Sequence, residues 1–301
     1  MKKNMRALLC PPDFIRIEKE INDLMHHDDP PDPKAAKTEW LELVRDYLEL
    51  GVDLWFIEAD PVFQDMCFPA NVAWCRWGKV VLANLIHRVG MARGGEIAVY
   101  KKWFERYQKH LSDLEIVSWP DRDVGYGGQG DTVTVGSGKT RTVVLVGYGQ
   151  ERTDYEAHHV LRSIHRLEKD QVLPVRLVDG SLYDLDLNVF YIPKFPKTPE
   201  TLLCFPDGTD AAGRTAYASL PVAKEDRIIV SPEDAAEFVL NSVFVLGRDG
   251  ETHLIMPGGS KKIEAELKDR GYKVRRRSLT QAKKNGGGTR CHTMFLPDEK
   301  A

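Results

Sequence analysis

The stretch Asn285-Gly286-Gly287-Gly288-Thr289-Arg290-Cys291-His292-Thr293, running into the apolar Met294-Phe295-Leu296, concentrates more chemistry than any other part of this sequence. Three successive glycines open backbone conformations closed to other residues and let another group approach closely. A thiol placed directly after them, beside the cation of Arg290, can be drawn toward thiolate and act as a nucleophile. The plainer alternative is that Cys291 is a small buried hydrophobe. Three further contexts carry acids: Asp65-Met66-Cys67-Phe68-Pro69-Ala70-Asn71, Gly128-Gln129-Gly130-Asp131, and Tyr183-Asp184-Leu185-Asp186. If residues 183–186 form a strand, Asp184 and Asp186 share one of its faces. Carboxylates that converge on one pocket suit a planar cation such as guanidinium, which they hold at two points. Each taken singly reads as readily as a loop or strand-edge acid.

Other motifs are weaker. Gly138-Lys139-Thr140 ends a string like a phosphate loop, but Val133 stands where the leading glycine belongs, and a strand pattern follows, so a hairpin turn is expected. Gly125-Tyr126-Gly127-Gly128-Gln129-Gly130 matches a dinucleotide fingerprint in form, yet it too runs into a strand and not a helix. His26-His27 and His158-His159 lack the spacing of metal ligands and are read as solvated loop and helix-surface histidines. Arg275-Arg276-Arg277 reads as a solvated strand end.

The elements that must position these residues repeat a theme of strand, amphipathic helix and strand. Residues 35–50 place Leu41, Val44 and Leu48 on one helical face, stopped by Gly51, and Val52 to Ile57 reads as a buried strand. Ile97, Tyr100, Phe104 and Tyr107 recur at helical spacing before a strand from Glu115 to Trp119. A third unit comprises Thr142 to Val146, a helix near 154–167 and a strand near 173–178. A fainter one spans 186–230, and the last holds Val243–Leu246, His253–Met256, a helix near 260–270 and Tyr272–Arg275. About five α/β units follow, read as one domain over residues 1–301.

The composition narrows the function. Lys and Arg number 42 against 45 Asp and Glu, a net charge of −3 that speaks against a nucleic-acid or membrane-surface binder. No apolar run approaches the ~20 residues of a membrane span, and the apolar stretch Ala7 to Cys10 is too short for a secretory signal. The five cysteines, with no CxxC pair, are expected to be reduced thiols in a cytoplasmic protein. Cys10, Cys67, Cys75 and Cys204 sit in apolar runs and are assigned to the core.

Taken in order, these pieces resemble the guanidino-group-modifying enzymes of the pentein superfamily, most of all its arginine dihydrolase and dimethylarginine dimethylaminohydrolase branch. The likeness runs over nearly the whole chain. Cys10-Pro11-Pro12-Asp13 and Ile21-Asn22-Asp23-Leu24-Met25 are similar to the family's CPPD and INPWM strings. Asp65 to Ala73 is similar to DMVFTANAG, and Gly147-Tyr148-Gly149-Gln150-Glu151-Arg152-Thr153-Asp154 to its GYG…SERTN loop. The resemblance implies a five-bladed α/β propeller of ββαβ units with pseudo-fivefold symmetry. It further implies a cysteine that attacks a guanidinium carbon to give a covalent amidino-thioether, or thiouronium, which water then hydrolyses. No cofactor is implied, the partner is a small guanidino or amidino molecule, and homo-oligomerisation stays open.

Carried over residue by residue, the nucleophile is Cys291. Asp186 matches the guanidinium-binding acid, Asn71 a pocket position, Arg152 a group facing a substrate carboxylate, and Asn22, Asp65 and Asp131 further pocket residues. Two positions depart from the pattern. Asp184 stands where the family's YHLD motif has its catalytic histidine, and Gly127 where FEGxGD has its glutamate. The expected enzyme is therefore a Cys-dependent hydrolase or amidinotransferase acting on a guanidino, amidino or ureido C–N bond, with Asp184 as acid and base. His292 is expected to point away from the thiol, as the next residue on a strand. The competing expectations are a non-catalytic pentein that binds a cationic amino acid or a protein, and a metal-assisted enzyme using Asp131, Asp184 and Asp186.

Overall fold

The computed structural model describes residues 5–111, 114–136, 142–150, 152–258 and 260–296. Along them run β1 (Arg6–Leu9), α1 (Pro33–Leu50), β2 (Asp53–Phe56), β3 (Ala73–Arg76), β4 (Lys79–Leu82), α2 (His87–Arg93), α3 (Glu96–Tyr107) and β5 (Glu115–Val117). There follow β6 (Thr132–Val135), β7 (Val143–Tyr148), α4 (Ala157–His165), β8 (Val172–Arg176), β9 (Val189–Ile192), β10 (Thr201–Cys204), α5 (Ala211–Ser219) and β11 (Arg227–Ile229). The last are α6 (Pro232–Ala236), β12 (Val243–Leu246), β13 (Thr252–Met256), α7 (Lys261–Asp269), β14 (Lys273–Arg276), α8 (Thr280–Lys284) and β15 (Met294–Leu296).

Among the described residues these strands make five three-stranded sheets of one design. In the second, β3 pairs antiparallel with β4, and β4 pairs parallel with β5 after the crossover through α2 and α3. The units β6-β7-β8, β9-β10-β11 and β12-β13-β14 repeat that pattern. The remaining sheet joins the two ends of the chain: β1 pairs antiparallel with β15, Ala7 opposite Phe295, and parallel with β2, Leu8 opposite Trp55. A parallel pair needs a long crossover, which is why each unit carries a helix. The leading strands β3, β9 and β15 are largely buried, whereas the third strands β2, β5, β11 and β14 are partly exposed. Contacts of β15 with β3 and of β6 with β9 place the leading strands innermost. The result is the expected five-bladed α/β propeller.

Local signals explain the elements better than they explain their faces. Helix α1 starts at Asp32, whose carboxylate accepts the N–H groups of Lys34 and Ala35, and stops at Gly51, with φ of 86°. Its buried face, however, is Ala36, Trp40, Leu43, Val44, Tyr47 and Leu50. Leu41 and Leu48, expected to face inward with Val44, are 47% and 56% exposed. The larger aromatic area of Trp40 and Tyr47 outweighs two leucines when one face must be chosen. Strand β2, expected to be buried, is an outer strand with Asp53 and Phe56 exposed.

The basic run at β14 is partly exposed, as expected, but two of its arginines are also paired inward. Asp46 of α1 is fully buried, and it accepts from Arg275 Nη1 and Arg277 Nη2, each at 2.7 Å. These bonds clasp the blade containing β1 to the blade containing β14. His158 departs from its expected surface place: it is buried, with Nδ1 2.5 Å from the carbonyl of Tyr155. The Gly138-Lys139-Thr140 turn and Glu151 lie outside the described residues. Strand β6 does follow Gly125–Gly130. Cys10, Cys67, Cys75 and Cys204 are buried free thiols. Among the described residues no helix is long and apolar enough to cross a membrane.

Candidate active site

The turns that feed the innermost strands bring the sequence-predicted residues together. Single turns of 3-10 helix over Pro69–Asn71, Gly128–Asp131 and Leu185–Leu187 precede β3, β6 and β9. A turn closed by Asn241 N–H to the Phe238 carbonyl precedes β12, and one closed by Thr293 N–H to the Arg290 carbonyl precedes β15. Repetition of the unit thus delivers one turn from each blade to the same end of the fold. Residues 184–187 are accordingly not the strand expected, and Asp184 and Asp186 share no strand face.

Cys291 lies in the last of these turns, 3% exposed. It borders a small cavity lined also by Asn22, Asp65, Asn71, Arg93 and Arg152, whose free space of about 10 Å³ is room for one water. Its Sγ accepts from Asn241 Nδ2 at 3.1 Å. Burial, and then the charges of Asp186 and Asp184, push the thiol well above its ordinary range. His292 is not on a strand but in the same turn. Its ring turns away to Cys67, Nδ1 lying 2.9 Å from that carbonyl, and packs on Phe68. Burial lowers it to about 4, so it is neutral near pH 7.

The glycines before Cys291 are explained by two neighbours. Gly286 has φ of +81°, and a Cβ there would meet the Tyr183 hydroxyl at 2.2 Å; a Cβ on Gly288 would come within 2.6 Å of Asn241 Oδ1. Both approaches are used. Tyr183 donates to the Gly286 carbonyl at 2.8 Å, and Asn241 reaches the nucleophile turn.

Asp184 is the counterion of an arginine. Arg152 Nε lies 2.6 Å from its Oδ1, and Oδ2 accepts from Arg152 Nη2 at 3.3 Å and from Asn71 Nδ2 at 2.9 Å. Asn71 Oδ1 in turn accepts from Arg93 Nη1 at 3.1 Å, and Arg93 grips Glu96 from Nε and Nη2. Two arginines and two carboxylates are thereby buried as a neutral chain of contacts. Burial works against the charge on Arg152, and Asp184 together with Tyr183 and Asp131 more than restores it. Burial raises Glu96 to about 7.

The remaining acids are less completely paired. Asp131 accepts from Thr153 Oγ1 at 2.5 Å and from Leu185 N–H at 3.2 Å, and burial with the nearby Asp184 lifts it to about 7. Asp186 is fully buried, its nearest cation is Arg290 with Nε at 3.6 Å, and burial followed by Asp184 raises it well above the carboxylate range. Asp65 accepts from Asn285 Nδ2 at 2.7 Å and is raised by burial. Asn22 Nδ2 reaches the Asn285 carbonyl at 3.3 Å. Among the described residues no three His, Cys, Asp or Glu side chains are grouped to hold a metal ion, so the trio Asp131, Asp184 and Asp186 does not form such a site.

Sequence reasoning missed Arg93, Glu96 and Asn241. Arg93 and Glu96 have the i,i+3 spacing of any helical pair, and Asn241 stands in an unremarkable polar turn. No local signal distinguishes them.

Five ββαβ units with a cysteine on the turn before the last innermost strand define the pentein class. Known proteins agree, although no protein-family profile matches the chain. It is 29% identical over 308 residues to the bifunctional arginine dihydrolase/ornithine cyclodeaminase ArgZ of Synechocystis sp., a match to all of this chain and 40% of that protein. It is 28% identical over 294 residues to the N(G),N(G)-dimethylarginine dimethylaminohydrolase of Mycobacterium tuberculosis, covering 98% of this chain and 86% of the other. The N-terminal domain of ArgZ, solved with substrate as a cysteine-to-serine variant, matches with a TM-score of 0.82 at 27% identity, over 99% of this chain and 100% of that one. The chain has the pentein fold and is similar in sequence to arginine dihydrolases and a dimethylarginine dimethylaminohydrolase of that superfamily. It spans about 40% of the length of the bifunctional relatives.

Proposed function

We propose that this chain is a cysteine-dependent hydrolase of a small guanidino compound, breaking a guanidinium C–N bond through Cys291. The observation that carries this reading is the Cys291 thiol in the wall of a buried polar cavity shared with Asn22, Asp65, Asn71, Arg93 and Arg152. Relatives add support: ArgZ is named an arginine dihydrolase, and a variant of its N-terminal domain has been solved covalently bonded to a reaction intermediate.

In this reading the bound guanidinium cation draws the thiol toward thiolate, offsetting the burial that otherwise holds the proton on sulfur. The Cys291 Sγ–C bond forms, the C–N bond breaks, and the thiol proton leaves with the amine. Water then attacks the thiouronium carbon and the C–S bond breaks. One water is consumed, and ammonium and a ureido product are released. Asp184, with both oxygens engaged, holds Arg152 in place for a substrate carboxylate. An amino-acid-sized substrate exceeds the space of one water, so the cavity walls must part to admit it.

The test is incubation of the protein and its Cys291→Ser variant with arginine, methylarginines, amidines and ureido compounds, following ammonia, amines and ureido products by mass spectrometry. Product from the wild type alone supports the reading; equal product from both overturns it. The Arg152–Asp184 pair favours a second reading, binding without turnover, because it occupies the carboxylate at the histidine position. Saturable binding with no product from any compound would establish that reading instead.

A further inference from the structure

Asn241 is fully buried at the end of the turn before β12, fifty positions from Cys291 in the chain. Its amide makes three contacts with the nucleophile turn. Oδ1 accepts from the N–H of Arg290 at 3.0 Å and of Cys291 at 3.3 Å, and Nδ2 donates to Cys291 Sγ at 3.1 Å. The amide can sit only this way round, because two backbone N–H groups can donate only to its oxygen, which leaves the nitrogen against sulfur. The absence of a side chain at Gly288 lets the amide come this close.

We propose that Asn241 is a positioning residue for Cys291 with two separable tasks. Its oxygen holds the turn, and its N–H group stabilises the sulfur as thiolate. The inference rests on Cys291 as the nucleophile. Asp186 and Asp184 face the sulfur and oppose thiolate formation, the Gly288 backbone and the neighbouring Arg290 cation favour it, and His292 is turned away. A neutral donor offsets those carboxylates without adding a cation that would repel a guanidinium substrate.

Asn241→Asp separates the tasks, since the isosteric carboxylate still accepts from both N–H groups but cannot donate to sulfur. The readout is covalent labelling of Cys291 by chloroacetamidine, measured by mass spectrometry from about pH 7 to about pH 10, alongside thermal melting. Asn241→Asp is expected to label at least about tenfold more slowly, with its pH profile displaced upward, and to melt below wild type because its carboxylate is buried without a cation. Asn241→Ala is expected to lose both labelling and stability. A wild-type rate and an unshifted profile in Asn241→Asp overturn the proposal. If that variant does not fold, Asn241→Ser against Asn241→Ala decides: a hydroxyl that still donates should label about threefold faster, and equal rates overturn it. Failure of the wild type to label at Cys291 overturns the nucleophile reading itself, a result distinct from the others.

Discussion

Arg152 and Asp184 hold each other at two points beside the cavity, Nε 2.6 Å from Oδ1 and Nη2 3.3 Å from Oδ2, with side chains 4% and 1% exposed. The same guanidinium lies over the Tyr183 ring, 4.6 Å from its centroid. Asp184 stands where the family resemblance places an imidazole. The chain therefore meets a carboxylate at that position with an arginine of its own, and the buried charge is cancelled within the fold.

Breaking that pair from one side should be severe. Arg152→Ala leaves Asp184 buried with Asn71 as its remaining partner, and is expected to remove about 3–5 kcal/mol of stability in urea denaturation. The double change Arg152→Met with Asp184→Leu should recover most of the loss, because no unpaired charge remains. A single-variant loss under about 1 kcal/mol would show that water reaches the carboxylate.

His292 predicts an acid limb of stability. Its pKa is lowered from 6.5 to about 4 by burial, so between those values the unfolded chain binds more protons than the folded one. Its contribution is complete above about 6.5 and falls away as pH drops toward 4, on the order of 3 kcal/mol in total. His292→Asn keeps a donor for the Cys67 carbonyl without the titration. Melting curves across that window should be flatter for the variant, and identical slopes would show that the ring is not held neutral.

Asp131 predicts the opposite sign. Its carboxyl is raised from 3.8 to about 7 by burial and by Asp184, so the folded state holds a proton the unfolded chain releases. That contribution is present below about 4 and lost as pH rises through about 7. Asp131→Asn should therefore gain in melting temperature relative to wild type on going from about pH 5 to about pH 8. A difference that does not change with pH would mean that Asp131 is ionised throughout.

Much of this molecule is written locally. The glycines before Cys291, the Asp32 and Gly51 ends of α1, and the strand–helix–strand rhythm each depend on neighbours a few residues apart, where chain stereochemistry alone decides the outcome. The order of motifs from Cys10 to Cys291 carried the class of fold for the same reason. Partners of buried polar groups are another matter. Asp46 meets Arg275, Arg152 meets Asp184, Arg93 meets Asn71, and Asn241 meets Cys291 only because five blades bring their turns and strand ends to common points. Periodicity tells which side chains leave water, as at Tyr100 and Phe104, but it chose the wrong face of α1 where aromatic area decided. A buried charge must be cancelled by whatever lies across the interior, and that neighbour is a property of the assembled tertiary structure.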